Sequence, residues 1–264
     1  MWKMKIKRFE EKIMLITGGT HGMGLEVAIA AAQEGAQVII CGRDEGKGIQ
    51  AVVAGSEAGE KLHFMVCDIE REDDVERLIN RVTTEFGGLD FAFNNAGITS
   101  QYARLAESDV DAWRKVIDVN LIGTYLSMRY EIAAMLRRGG GAIVNNSSCA
   151  GIMAIPAQSA YVASKAAVIG LTQSAAIDYA HNDSGVQVRI NAIAPGPISG
   201  GMNSEKNLSN NPARTEKKIN ATAMRRLGTP VEVASAVLWL LSSESSYVTG
   251  AVIPVDGGVT AGKF

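Results

Sequence analysis

The chain has 264 residues, 47% of them apolar and 20% charged, with 26 Lys and Arg against 28 Asp and Glu for a net charge of -2. Those values describe a globular protein with room for a substantial core, and the near balance of charge excludes the electrostatic footprint of a nucleic-acid or anionic-membrane binder. Cys41, Cys67 and Cys149 stand apart with no C-x-x-C pair, which excludes a disulfide framework or zinc site and fits a reducing cytoplasm.

Residues 1–10 read as a short N-terminal extension. Its basic start has no continuous apolar stretch before Glu10 and Glu11, so no secretory leader is expected, and no apolar run reaches transmembrane length. A first strand is expected at Lys12–Thr17, joined by "TGGTHGMG" to a helix near Leu25–Glu34. A strand at Gln37–Cys41 follows, then Gly42, Arg43 and a helix at Asp44–Ala54. The strand Leu62–Val66 leads through "CDI" into the helix Arg71–Phe86, whose first turn is acidic as the macrodipole favours. The strand Leu89–Asn94 ends in "NNAG"; the helical segment after it, Asp109–Arg138, is long for a single helix. Gly141–Ser147 ends in "NNSS" and is followed by a helix at Ala160–Ala180. The strand Val186–Ala192 runs into "APGP". The polar stretch Gly200–Ala223 reads as a mobile insertion with a short helix, a substrate lid. Pro230 occupies the N1 place of a helix at Val231–Leu241, and Ala251–Val255 is the last strand. Short Val/Ile-rich runs alternating with helical period indicate repeated βαβ units. The expectation is one doubly wound α/β domain over residues 1–264, with a seven-stranded, mostly parallel sheet and helices on both faces.

Open sheets of this kind bind ligands at the carboxyl ends of their strands, and here nearly every strand ends in a glycine or polar cluster. Glycines between the first strand and first helix permit a tight turn and let backbone N–H groups approach a pyrophosphate. Their spacing, T-G-x-x-x-G-x-G, differs from the usual G-x-G-x-x-G. In "YVASK", Tyr161 and Lys165 are i and i+4, so both project from one helix face. An unperturbed phenol has a pKa of about 10, and an adjacent ammonium is expected to lower it.

Taken in order, "TGGTHGMG", "NNAG", Ser147–Ser148, "YVASK", Pro195–Gly196 and "VTG…VDGG" resemble the classical short-chain dehydrogenase/reductase family over about Lys12 to Gly258. The resemblance implies a Rossmann fold and an oxidoreductase interconverting a ketone or aldehyde and an alcohol by hydride transfer. It implies catalytic roles for Asn120, Ser148, Tyr161 and Lys165. Tyr161 is the general acid/base, Ser148 the hydrogen-bond donor to the substrate oxygen, and Lys165 a holder of the nicotinamide ribose. Asn120 holds a water in the proton path. Cofactor contacts are implied for Gly18, Thr20, His21, Gly22, Met23, Gly24, Gly42, Arg43, Asp68, Ile69, Asn95, Ala96, Gly97, Tyr161, Lys165, Pro195, Gly196 and Ile198. A homotetramer or homodimer in the cytoplasm, with a small-molecule substrate, is implied too, with no nucleic acid, membrane or metal. At one place the pattern is broken: Gly200 stands where relatives carry a Thr for the carboxamide.

Cofactor choice rests on "CGRDE". An acid after the second strand accepts the ribose 2′-OH of NAD and repels the phosphate of NADP. Gly42 stands in that position, and Arg43 follows with a guanidinium suited to gripping phosphate. NADP(H) is therefore favoured; in the alternative, Asp44 accepts the ribose and NAD(H) is used. Asp44 also suits the cap of the second helix. The competing functions are an NAD-dependent alcohol or diol dehydrogenase, a 3-oxoacyl carrier-protein reductase docking through Arg137, Arg138, Arg225 and Arg226, and a dinucleotide-binding regulatory protein. His63 and His181 lack a second ligand at metal spacing. Tyr102, Met153, Ile155 and Met202 are candidates for an apolar substrate pocket.

Overall fold

A strand that is apolar at nearly every position belongs in a sheet covered on both faces, and β1 (Ile13–Thr17) is buried along its whole length. The computed structural model describes residues 7–181 and 185–262. In it β2 (Gln37–Gly42), β3 (Leu62–Val66), β4 (Phe91–Asn94), β5 (Gly141–Asn146), β6 (Val188–Pro195) and β7 (Val252–Val255) join β1 in a seven-stranded sheet of order β3-β2-β1-β4-β5-β6-β7. The sheet expected to be mostly parallel is parallel in every pairing of these strands. The order reverses direction beside β1, the topological switch point at which such sheets open a crevice.

Side chains alternate across the sheet. Ile13 and Leu15 join Ile39, Ile143 and Ile190 on one face, under α3 (Glu72–Phe86), α5 (Gly123–Arg138) and α7 (Ser159–Tyr179). Met14 and Ile16 join Val38, Ile40, Phe93 and Val144 on the other, under α1 (Gly22–Gln33), α2 (Glu45–Glu57) and α10 (Pro230–Leu241). Local chemistry sets the helix starts. Asp44 caps α2 by accepting from Lys47 N at 3.0 Å, and α10 opens with Pro230 behind a reciprocal capping box of Thr229 and Glu232.

Where the structure departs from the sequence expectation, tertiary contacts are the cause. Phe9, in the expected extension, is fully buried and packs edge-on against Phe91 at 5.3 Å, so this residue of the extension belongs to the core. Residues 1–6 lie outside the described residues. The strand expected from Leu89 starts at Phe91, because the Asp90 carboxylate accepts from Ile13 N at 3.0 Å, and β6 starts at Val188 and runs on to Pro195. The long segment from Asp109 divides into α4 (Val110–Ile117), a π-helical turn at Asp118–Ile122, and α5. Beside the wide turn, the Thr124 and Ser127 hydroxyls donate back to the carbonyls of Asn120 and Gly123 at 2.8 and 2.9 Å, a back-bonding that bends helices. The polar insertion holds two short helices, α8 (Glu205–Ser209) and α9 (Pro212–Asn220), after α6 (Cys149–Ile152) higher in the chain.

Candidate active site

Because all the strands run the same way, their terminal clusters gather on one edge and fold around two adjoining cavities of about 180 Å³ each. Both cavities share Gly18, His21, Ala96 and Gly97. The turn between them is set by Gly18, whose φ is +62° and whose missing Cβ would stand 2.8 Å from Ala96 Cα. Asn95 fastens that turn, its Nδ2 donating to Gly18 O at 2.9 Å, and Asn146 Nδ2 in turn donates to Asn95 Oδ1 at 3.0 Å.

The first cavity brings together Gly22, Met23, Asn95, Ser148, Tyr161, Lys165, Pro195, Gly196 and Ile198 of the expected set. Ser148 sits at the N-cap of α6, its Oγ accepting from Ala150 N at 3.1 Å. Tyr161 and Lys165 lie one turn apart on α7. Lys165 is buried and its ammonium donates to the Asn146 carbonyl at 2.6 Å, 5.9 Å from the Tyr161 ring centre. Burial pulls its pKa down to about 8, since removing an ammonium from water disfavours its charge. Ser147 Oγ donates to Lys165 O at 2.8 Å and so clamps β5 to α7.

The expected lowering of the Tyr161 pKa is not found. Burial raises it, and the hydrogen bond with Ser148 only partly offsets that. The ammonium that was to stabilise the phenolate is occupied by the Asn146 carbonyl.

The second cavity holds Thr20, Gly42, Arg43, Asp68 and Ile69, together with Asp44, Lys47 and Glu70. Arg43 Nη1 lies 3.4 Å from Glu70 Oε2, and Lys115 Nζ lies 2.7 Å from the same oxygen. The His21 ring and the Thr20 hydroxyl are 3.2 Å apart. Asp44 is engaged at the α2 cap, and Asp68 Oδ1 accepts from Glu70 N at 3.2 Å.

Two expected residues stand behind the cavities. Gly24 packs so tightly that a Cβ would meet Gly18 O at 2.4 Å. Asn120 is fully buried and bonded to both the N–H and the C=O of Ile98, at 2.8 and 2.9 Å, and to Ser164 Oγ at 3.0 Å. At Gly200 the departure is a tight turn with φ +79°, closed by reciprocal bonds with Asn203 at 3.0 and 2.8 Å. That turn brings Gly201 against Gly22, where a Cβ would lie 3.2 Å from Gly201 Cα.

Asn146, Ser147, Asn203 and Glu70 line the cavities without having been anticipated, whereas Met202, a candidate for the apolar pocket, lines the first cavity. The doubled Asn of "NNSS" was the signal for Asn146; Glu70 was hidden in an acidic run read as a helix start. Behind the edge runs a buried polar chain that periodicity also hid. Asn94 Nδ2 donates to Glu131 Oε2 at 2.9 Å and to Asn145 Oδ1 at 3.1 Å, and Asn145 Nδ2 donates to Thr172 Oγ1 at 2.9 Å. Glu131 is fully buried and its pKa is pushed up to about 7 by desolvation. The four arginines considered for carrier-protein docking do not form one surface. Arg138 reaches Gly87 O and Asp90 at the amino edge of the sheet, while Arg226 pairs with Glu232 beside the carboxyl edge. Among the described residues no cluster of His, Cys, Asp and Glu is disposed to hold a metal, and no helix is long and apolar enough to cross a membrane.

A side-chain-free cradle at Gly18 and Gly22, the buried and unpartnered Asn146 Oδ1, and donors at both ends suit an extended dinucleotide. Fold and site together define a nicotinamide-dinucleotide oxidoreductase. The family described as Enoyl-(Acyl carrier protein) reductase matches residues 18–260. The chain is 38% identical over 270 residues to a 3beta-hydroxysteroid dehydrogenase of Mediterraneibacter gnavus, with 96% of each chain covered. The solved structure of levodione reductase superposes with a TM-score of 0.90 at 34% identity, over 97% of this chain and 100% of that one. A structure of NAD+-bound xylitol dehydrogenase gives 0.88 at 30%, over 95% and 99%. The chain belongs to the short-chain dehydrogenase/reductase family, whose members bind a nicotinamide dinucleotide and act on alcohol and carbonyl groups.

Proposed function

We propose that the protein reduces a ketone or aldehyde on an apolar, ring-sized substrate with NADP(H), the reverse oxidation using the same groups. The observation that carries this reading is that Ser148, Tyr161 and Lys165 line one cavity and Arg43 lines the next. When bound, the dinucleotide supplies the hydride. Gly18, Gly22 and the N-terminus of α1 would receive its pyrophosphate, Lys165 its nicotinamide ribose, and Arg43 the adenosine phosphate.

The chain's own groups handle the substrate oxygen and its proton. Ser148 Oγ donates a hydrogen bond to that oxygen and stabilises the charge developing on it. Tyr161 delivers the proton from its phenolic oxygen. Burial raises its pKa, so the phenol holds its proton near neutrality until the developing oxyanion takes it, and the same oxygen takes the proton back in the oxidation. Asn120, at the wide turn behind Gly97, holds the helix that backs this path and orients a water there. Met202 lines the first cavity and, like Ile152, Met153 and Tyr102, is exposed, apolar surface that supports a bulky hydrocarbon substrate, as does the similarity to a hydroxysteroid dehydrogenase. Arg214 of α9, in the Gly200–Ala223 segment, stacks over the Tyr102 ring at 3.9 Å, which supports that segment as a substrate lid. Exposed Tyr125 on α5 and Ile177 on α7, the latter 80% exposed, support assembly as a homodimer or homotetramer.

The test is consumption of NADPH and NADH, side by side, against cyclic and open-chain ketones. NADPH with cyclic ketones is expected to be the best pair. Equal or better turnover with NADH would return Arg43 to the role of a surface residue.

A further inference from the structure

The acids lining the second cavity differ in what they hold. Asp44 is engaged by the α2 cap and Asp68 by the Glu70 N–H, whereas the Glu70 carboxylate faces two cations. Its side chain is only 13% exposed, while those of Arg43 and Lys115 are 54% and 51% exposed. The Lys115 contact, 2.7 Å, is a short charge-assisted bond; the Arg43 contact, 3.4 Å to the same oxygen, is at the long limit. Glu70 is therefore fixed and Arg43 only loosely attached to it.

We infer that Glu70 is a specificity-determining residue that competes with the ribose phosphate for Arg43 and so tempers the preference for NADP(H). The inference rests on the reading of Arg43 as the phosphate clamp. An incoming phosphate has to draw the guanidinium away from a carboxylate that stays close behind it, held by Lys115. A ribose without phosphate leaves the Arg43–Glu70 pair intact, so the cavity presents no unpaired cation to NAD(H). A clamp with a fixed anion beside it discriminates less sharply than a bare one.

The experiment is calorimetric titration of adenosine 2′,5′-bisphosphate and of 5′-AMP into the full chain, with kcat/KM for NADPH and NADH measured in parallel. In Glu70→Gln the bisphosphate is expected to bind about three- to fivefold tighter, the scale of one partly exposed charge pair, with 5′-AMP unchanged. Lys115→Met leaves the carboxylate to bear on Arg43 alone, so the bisphosphate should weaken by a similar factor. Bisphosphate binding unchanged or weaker in Glu70→Gln would overturn the inference, as would a loss of 5′-AMP binding alone, which would make Glu70 the ribose acceptor. Arg43→Ala separates the two failures. If it leaves bisphosphate binding intact, the clamp reading itself falls and this inference with it; if it weakens that binding while Glu70→Gln does not tighten it, only the inference falls.

Discussion

The two ends of the binding crevice are built by opposite means. At the catalytic end the polar groups are buried and tied to main chain: Lys165 to the Asn146 carbonyl, Ser147 to the Lys165 carbonyl, Ser148 to the Ala150 amide. At the Arg43 end the charges are half exposed and tied to one another through Glu70. The first arrangement fixes geometry to a fraction of an ångström and shifts proton affinities by desolvation; the second sets a local potential that water and salt attenuate. Chemistry and cofactor choice are thereby separated, and a substitution at one end should leave the other end's property alone.

The sharpest way to break that separation is Tyr161→Phe. It is expected to lower kcat by about a thousandfold or more, within the range of a lost general acid, while dinucleotide affinity measured by calorimetry stays unchanged. A parallel loss of affinity would show that the two ends are coupled after all.

Glu131, behind the catalytic end, gives the next largest effect, in stability. Its pKa is raised from 4.5 to about 7, so the fold favours its protonated form. The corresponding stability is fully present below about pH 4.5 and lost as pH rises through 7, at a scale of about 3 kcal/mol. Between pH 5 and pH 8 the melting temperature of the wild type should therefore carry a downward component that Glu131→Gln removes. Identical pH dependence in both proteins would mean that the carboxyl titrates normally.

Arg43→Ala should raise KM for NADPH about tenfold, the loss of a charge-assisted bond of roughly 1.5 kcal/mol, and leave NADH unaffected. The smallest expected effect is that of ionic strength. Raising salt from about 0.05 to 0.5 M, which shortens the Debye length from about 14 to about 4 Å, should weaken NADPH binding a few fold and leave the kcat pH profile where it was.

The same contrast decided what could be read from the letters. Ser148, Tyr161 and Lys165 act through backbone-fixed geometry that an ordered set of motifs encodes, so the family and the sheet edge were legible. The alternation of short apolar runs with helical segments gave the seven strands to within a few residues. What escaped were interactions between residues distant in sequence. Phe9 looked like part of a tail until Phe91 was beside it; Glu70 and Lys115 are a pair only once α4 stands next to the end of β3; and Asn94, Glu131, Asn145 and Thr172 join only through packing. The Tyr161 expectation failed for a related reason, because sequence gave the neighbour at i+4 but not the burial around it, nor the carbonyl that occupies the ammonium.

The approach of Gly201 to Gly22 has a bearing on which substitutions the turn accepts. Neither residue has a side chain to rotate aside, so the passage between them widens only when the main chain pivots, and Gly200 and Gly201, with φ of +79° and +51°, sit where a pivot is least hindered. A side chain placed at Gly22 would therefore find no neighbouring rotamer to give way and could be accommodated only by displacing the main chain of the Gly200–Gly201 turn.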